Sequence, residues 1–150
     1  PVQRLKLLIP RMENQGSGKI ICIGSIASQF GQANLAAYSA SKSALTLYLE
    51  SLKEELHDSK VEVKLISPGN VRTSIMKSAL THDGSKLNKI GRAQEKGIDT
   101  KKLAKKIFKF EKQKKFHKYF TGIEGLAVPL HKFSPKLFYY IYHHLSRRKK

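Results

Sequence analysis

A tyrosine and a lysine four residues apart are the side chains whose types and spacing first suggest chemistry. Tyr38 and Lys42 lie in the stretch YSASKSALTLYLESLKEEL. On an α-helix, residues i and i+4 share one face, with their β-carbons about 5–6 Å apart. An ammonium beside a phenol stabilises the phenolate, so such a pair can donate and accept a proton. The alternative is an ordinary solvated helix turn, because spacing alone does not fix a rotamer.

Two apolar runs on either side of this stretch predict the strands that position the pair. Residues 19–25 read KIICIGS and residues 61–67 read VEVKLIS, which is typical of strands buried on both faces of a parallel sheet. A helix from about residue 36 to about residue 57 is predicted between them. Its apolar stripe consists of Leu45, Leu49, Leu52 and Leu56. Strand, helix and strand in this order predict a βαβ unit with a right-handed crossover.

The segments around this unit extend the α/β pattern to a doubly wound parallel sheet. Helical spacing before a Gly-Ser-Gly turn predicts a helix at the start of the chain. The stretch DTKKLAKKIFKFEKQ predicts another helix, with Asp99 or Thr100 as its N-cap. KFHKYFTG, which ends at Gly122, predicts a third strand with alternating aromatic and polar residues. Residues 74–98 are polar and are predicted to form a mobile segment with one or two helical turns.

The last part of the chain, FSPKLFYYIYHHLSRRKK, predicts a helical extension that is amphipathic, aromatic and basic. Ser134 and Pro135 stand in N-cap and N1 positions. The predicted apolar face consists of Phe138, Ile141, Tyr142 and Leu145. Such a helix is typical of elements that lie on anionic membranes, and a membrane location favours a hydrophobic or lipid-like substrate; the alternative is a lid or packing helix. We predict a division into residues 1–122 and a tail of residues 123–150.

Composition and cysteine content are those of an ordinary folded domain. The 150 residues, 40% of them hydrophobic, are enough for one domain with a core and exclude disorder by composition. Cys22 is the only cysteine, which excludes an internal disulfide, and its apolar neighbours favour a buried role over a reactive thiol. Because we find neither a signal peptide nor an apolar stretch of membrane-spanning length, a cytoplasmic location is predicted. Since the chain starts with Pro1 inside a predicted helix, we expect a C-terminal portion of a longer protein.

The positive charge is concentrated in the second half of the chain. Residues 1–75 carry 9 Lys/Arg against 6 Asp/Glu, a net of +3, whereas residues 76–150 carry 20 against 5, a net of +15. The lysines between residues 101 and 118 are interpreted as a solvated face. Basic patches also bind nucleic acid through phosphate contacts, but no recognised motif supports that partner, and we do not expect it. The six histidines show no metal-ligand spacing, so no metal site is predicted.

Polar groups at the ends of the predicted strands suggest one shared site. Ligands of an open parallel sheet bind at the carboxyl ends of its strands. Ser25 ends the first strand, the turn PGNVRT ends the second, and Tyr38 with Lys42 lies near the start of the connecting helix. A lone serine after a strand is usually a turn or cap residue. A hydroxyl, a phenol, an ammonium and a backbone turn around one crevice are harder to explain in that way.

These motifs also resemble the short-chain dehydrogenase/reductase family, whose fold is Rossmann-like. GKIICIGSIAS, YSASK and SPGNVRTSI occur in the family's order, with Ser25 thirteen residues before Tyr38 and Lys42 four residues after it. The resemblance implies that Tyr38 is the proton donor in carbonyl reduction and the proton acceptor in alcohol oxidation. Lys42 is implied to favour the ionisation of Tyr38 and to hold the nicotinamide ribose. Ser25 is implied to bind the substrate oxygen. The implied cofactor-binding residues are Tyr38, Lys42, Pro68, Gly69, Val71 and Thr73.

Two features of the family are absent from this sequence. It has no Gly-rich phosphate loop. It also lacks the residue that selects between NAD and NADP in this family; we slightly favour NADP, although this sequence does not determine the choice. We therefore expect the C-terminal part of an NAD(P)-dependent oxidoreductase, a homo-oligomer that acts on a carbonyl or secondary alcohol and is inactive as this chain alone. The alternative is a non-catalytic basic protein that uses a dehydrogenase-like scaffold to dock on membranes or nucleic acid.

Overall fold

A parallel sheet with helices on both faces organises the chain. The computed structural model describes residues 2–78, 83–86 and 92–147. Its strands are β1 (Gly18–Ile23), β2 (Val61–Pro68) and β3 (His117–Phe120). Its helices are α1 (Val2–Asn14), α2 (Ala36–Glu55), α3 (Arg92–Glu95), α4 (Thr100–Glu111), α5 (Ala127–Phe133) and α6 (Pro135–Arg147). Short 3₁₀ turns lie at Ile26–Ser28, Ile75–Ser78 and Ile123–Leu126.

The sheet has the order β1-β2-β3, with every neighbouring pair parallel. The register runs from Gly18 opposite Val61 to Ile23 opposite Ile66, so β1 and β2 end at the same edge. Helix α2 connects these two strands, which confirms the predicted βαβ unit. The sheet and its helices therefore have the predicted α/β architecture, because short buried strands need helices on both faces to cover them.

Two apolar clusters cover opposite faces of the sheet. On one face, α1 and α2 pack against β1 and β2, and the fully buried Leu49 of α2 lies in this cluster with Leu52 and Leu56. These leucines belong to the stripe that the sequence predicts. On the other face, α4 packs through Leu103 and the fully buried Phe110. Asp99 caps α4 as predicted, since its carboxylate accepts the amide hydrogens of residues 101 and 102.

Lys64 is a buried charge in the central strand. Its side chain is 3% exposed, and its ammonium donates hydrogen bonds to the carbonyl oxygens of Gln113 and Lys115. It also lies over the Phe110 ring, 5.4 Å from the centroid, and 3.5 Å from a carboxylate oxygen of Glu62. A buried ammonium requires such partners, so Lys64 fastens the segment between α4 and β3 to the sheet.

The C-terminal helix α6 differs from the sequence prediction in which of its apolar residues are buried. Helix α6 begins at Pro135, as expected, but the residues of the predicted apolar face, Phe138, Ile141, Tyr142 and Leu145, differ in exposure. Phe138 is only 4% exposed and packs on Phe30, with ring centroids 4.8 Å apart, whereas Leu145 is exposed. The reason is that α6 is apolar on most of its circumference, so periodicity alone does not identify the side that docks. Helix α5 had not been predicted.

Two further differences from the sequence prediction concern boundaries. Strand β1 ends at Ile23, so Ser25 follows the strand by two residues and begins a 3₁₀ turn. The predicted irregular segment 74–98 contains one 3₁₀ turn and the short helix α3, while residues 79–82 and 87–91 lie outside the described residues. The division at residue 122 stays a prediction. Among the helices that the structure describes, none has both the length and the hydropathy needed to cross a membrane.

Candidate functional site

Tyr38 and Lys42 share the face of α2 that looks onto the carboxyl edge of the sheet. The Lys42 Nζ lies 5.8 Å from the centroid of the Tyr38 ring and donates a hydrogen bond to the carbonyl oxygen of Ile23 at 3.4 Å. Ile23 is the last residue of β1, so this bond directs the ammonium to the strand end. Tyr38 is 45% exposed. The structure thus brings an accessible phenol and an ammonium together at the predicted edge.

Ser25 is held by the 3₁₀ turn that it caps. Its backbone is extended, and its Oγ accepts the amide hydrogen of Ala27 at 3.2 Å. The residue is only 9% exposed. An accepting hydroxyl keeps its own proton for donation, so Ser25 Oγ can still donate a hydrogen bond to a ligand oxygen. Ser25 can therefore cap the 3₁₀ turn and bind a ligand at the same time.

A second serine pair joins this turn to α2. Ser28 donates from Oγ to the Ser25 carbonyl oxygen at 2.8 Å. Ser43, one residue after Lys42, donates from Oγ to the Ser28 carbonyl oxygen at 2.8 Å. These two bonds connect the backbone of Ser25 to the helix that carries Tyr38. Sequence reasoning missed them, although SIAS and SKS both place small hydroxyl residues beside the predicted site residues.

The Pro-Gly turn lies beside Ser25 at the end of the neighbouring strand. The amide of Gly24 donates to the carbonyl oxygen of Ile66 at 2.7 Å, which extends the β1–β2 pairing to the residue before Ser25. Pro68 is the last residue of β2 and lies opposite Phe120 of β3. The amide of Gly69 donates to the Phe120 carbonyl oxygen at 3.0 Å. The turn therefore starts from a backbone position that both neighbouring strands fix.

The N–H and C=O groups of Val71 point away from Ile98, the residue with which Val71 is paired. It forms a parallel bridge with Ile98, in which the Ile98 amide donates to the Asn70 oxygen at 2.8 Å and the Arg72 amide donates to the Ile98 oxygen at 2.9 Å. In a parallel pairing, the bridged residue's N–H and C=O point to the opposite side. Those two groups can bind a carboxamide, which fits the nicotinamide side of a dinucleotide. Thr73 follows two residues later and is half-buried.

Glu124 is a residue of this site that sequence reasoning missed. Its Oε1 accepts the amide hydrogen of Asn70 at 3.1 Å. A β-carbon on Gly69 would collide with this carboxylate, and one on Gly122 would lie 2.8 Å from its Oε2, so both glycines leave room for it. The available signal was an acidic residue between glycines, GIEG, in the basic half of the chain.

A second polar cluster lies on the same face as α2 but away from Tyr38. His117 Nε2 is 2.8 Å from Oγ of the fully buried Ser67, and burial lowers the pKa of His117. Burial also raises the pKa of Tyr119, to which the Glu50 carboxylate contributes. Glu50 is twelve residues beyond Tyr38, about 18 Å along the helix axis. An open depression of about 530 Å³ on this side is lined by Glu50, Ser51, Lys53, Glu54, Phe116 and His117.

Comparisons with known proteins identify the family. A sequence model described as short chain dehydrogenase matches residues 1–84. The chain belongs to the short-chain dehydrogenase/reductase family. It is 34% identical over 137 residues to a Drosophila melanogaster protein named Dehydrogenase/reductase SDR family protein 7-like, covering 91% of this chain and 42% of that protein. For the Danio rerio protein Dehydrogenase/reductase SDR family member 7B, the identity is 32%, and the coverage is 99% of this chain and 48% of that protein.

Solved short-chain dehydrogenase/reductase structures share this fold. One from Burkholderia phymatum, in complex with NAD, superposes with a TM-score of 0.70 at 20% identity, covering 89% of this chain and 53% of that one. One from Burkholderia cenocepacia, in complex with NADP, gives a TM-score of 0.69 at 18% identity, covering 89% and 51%. The similarity at such identities concerns the fold. The chain spans about half the length of the curated relatives it matches.

Proposed function

We propose that this chain carries the catalytic end of an NAD(P)-dependent oxidoreductase that interconverts a carbonyl and a secondary alcohol. The observation that supports this most is the accessible Tyr38 phenol with the Lys42 ammonium 5.8 Å from its ring centroid. The pair lies at the edge where open α/β sheets bind ligands. Membership of the short-chain dehydrogenase/reductase family supports a generic oxidoreductase, and the particular role of Tyr38 is part of the proposal.

The residues of this chain divide the work of proton transfer and orientation. A bound nicotinamide supplies the hydride for reduction and accepts it in oxidation. In reduction, Tyr38 Oη gives its proton to the carbonyl oxygen as the carbonyl carbon receives the hydride, and a phenolate remains. The Lys42 ammonium stabilises that phenolate, while the Ser25 hydroxyl donates a hydrogen bond to the same substrate oxygen and keeps its proton. In oxidation, the Tyr38 phenolate accepts the alcohol proton.

Backbone groups of the turn after β2 would hold the nicotinamide side of the cofactor. The N–H and C=O of Val71 suit its carboxamide, because the bridge to Ile98 uses the flanking peptide groups instead. Thr73 is close enough in sequence to reach the carboxamide or the phosphates, and Lys42 suits the ribose hydroxyls. Either nicotinamide cofactor is compatible with these residues, since none of them lies where the adenosine ribose would distinguish NAD from NADP.

A hydrophobic or lipid-like substrate is the second part of the proposal. Four exposed apolar side chains belong to the last residue of β1, to the residue before α2 and to the segments that follow β2 and β3: Ile23, Leu35, Ile75 and Ile123. Burying such surface against an apolar ligand is favourable by about 25 cal/mol per Å². We also propose that the enzyme is cytoplasmic and works at a membrane surface, where substrates of this kind are found.

A chimera tests the proposed activity directly. In it, this chain replaces the matching part of the Drosophila melanogaster relative, so that the remainder of that protein completes the enzyme. The chimera is incubated with reduced cofactor, deuterated at the carbon that donates hydride, and with a series of hydrophobic ketones and aldehydes. We expect deuterium on the carbinol carbon of a product. If the chimera binds cofactor with the native relative's affinity but no deuterium is transferred to any carbonyl, the alternative of a non-catalytic scaffold protein is favoured.

A further inference from the structure

Helix α6 has an apolar side that no other part of the described chain covers. Phe138 and Tyr142 lie on the inner side, stacked with centroids 5.9 Å apart, and Phe138 contacts Phe30. Large apolar residues are exposed on the adjoining side of α6, near its C-terminal end and at the end of α5. This outer stripe consists of Phe133, Leu137, Tyr140, Ile141 and Leu145. Positions 137, 140, 141 and 145 follow the i, i+3, i+4, i+8 spacing of one helix face.

The sequence that contains the outer stripe carries charge of a single sign. Residues 125–150 contain six Lys/Arg and no Asp/Glu. Lys132 and Lys136, which flank the stripe, are both exposed, and four of the six basic residues are the last four of the sequence. A protein partner with an apolar groove would not by itself require this bias. A second copy of the same surface would be repelled by it.

We propose that the outer stripe is a docking surface for anionic lipid bilayers. Helix α6 has 13 residues, too few to cross a hydrocarbon core that needs about 20. A helix with exposed aromatic and aliphatic residues and basic flanks lies instead in the plane of the interface. Tyr140, which is 67% exposed, has the amphipathic ring that membrane–water interfaces favour, and Lys132 and Lys136 can meet lipid phosphates.

The inner side of α6 connects this docking surface to the candidate site. Phe138 packs on Phe30, which follows Ser25 by five residues in the same loop. The hydroxyl of Tyr139 would lie 3.7 Å from a β-carbon placed on Gly31. A bilayer held by the outer stripe would therefore contact the same helix that packs on the loop carrying Ser25. The inference rests on the proposed function only in explaining why a lipid-like substrate would be met there.

Vesicle co-sedimentation of the 150-residue chain tests the docking surface without any turnover. The vesicles are phosphatidylcholine alone or with about 30% phosphatidylserine, at low and high salt. We expect binding to the anionic vesicles that weakens as salt rises. Leu137→Ser with Tyr140→Ser should reduce the partition coefficient roughly tenfold or more, because it removes apolar surface from the stripe. Lys132→Gln with Lys136→Gln should reduce binding to the anionic vesicles alone.

A matched control separates the stripe from general apolar exposure. Leu47→Ser with Phe108→Ser changes two side chains that are 64% and 65% exposed, the second of them on the lysine-rich α4, and should leave vesicle binding unchanged. Circular dichroism verifies that all variants keep their helices. Equal binding of the stripe variant and the unmodified chain, equal binding to neutral and anionic vesicles, or pelleting without vesicles would each overturn the proposal. Failure here leaves the chimera's hydride transfer unaffected, so the two proposals fail separately.

Discussion

Removing the Phe138 ring tests whether α6 is fastened to the loop that carries Ser25. Phe138 is 4% exposed, and its centroid lies 4.8 Å from Phe30, 5.1 Å from His131 and 5.0 Å from Tyr139. Phe138→Ala leaves a cavity among these rings, and phenylalanine-to-alanine changes at such sites cost about 3–5 kcal/mol. Phe133→Ala is the matched control, because Phe133 is 85% exposed and exposed substitutions usually change stability by less than about 0.5 kcal/mol.

Urea denaturation of the 150-residue chain measures both variants. With a slope of about 2 kcal/mol per molar urea, the loss at Phe138 lowers the midpoint by roughly 1.5–2.5 M, while the midpoint of Phe133→Ala stays near that of the unmodified chain. Amide hydrogen exchange adds the location of the effect. Phe138→Ala should accelerate exchange in residues 26–30 as well as in α6, since the ring contact joins them. Equal midpoints for the two variants, or faster exchange confined to α6, would refute the packing described here.

Two other changes test the candidate site, and a third tests the separate cluster around His117. In the chimera, Lys42→Met should weaken cofactor binding, because the ribose hydroxyls would lose the ammonium that is held at the end of β1; an unchanged cofactor affinity would make Lys42 a solvated helix residue. Glu124→Ala should raise the KM for cofactor several-fold, since the Asn70 amide loses its acceptor, whereas Glu124→Gln, whose amide oxygen still accepts, should raise it less; equal KM values for both and for the unmodified protein would exclude a positioning role. Because burial lowers the folded-state pKa of His117, the unfolded chain binds more protons below about pH 6.5, and stability should fall as the pH drops from there to the folded-state pKa. His117→Gln should flatten this part of the stability–pH curve, and an unchanged slope would assign it to other groups.

The candidate site was predictable where it depended on local spacing. The i, i+4 relation places Tyr38 and Lys42 on one helix face whatever the rest of the chain does. The position of Ser25 and of the Pro-Gly turn followed from a topological rule, since parallel strands that flank a connecting helix end at the same edge. Hydrophobic period and length were enough for β1, β2 and α2, because each is a strongly patterned segment.

What could not be predicted depends on contacts between distant residues. Glu124 meets Asn70 across 54 residues, and Lys64 meets the carbonyl oxygen of Gln113 across 49. A lysine in an apolar strand gives no sign of its acceptors, which belong to a loop without a pattern of its own. In α6, apolar residues occupy most of the circumference. The contact between Phe138 and Phe30 therefore decides which side of the helix packs inward, and the helix's own pattern does not.

The hydride-transfer rate of Tyr38→Phe in the chimera tests the central claim most directly. The substitution removes only the phenolic oxygen and keeps the ring beside Lys42, so cofactor binding should remain nearly unchanged. Tyr48→Phe is the control, because Tyr48 is on the same helix but packs against the hydrophobic core; it should leave the rate within about twofold. We predict that single-turnover reduction by Tyr38→Phe is slower by about 10²–10⁴-fold, the usual contribution of a positioned acid. A rate within tenfold of the unmodified chimera, with cofactor bound, would contradict the assignment of Tyr38 as proton donor.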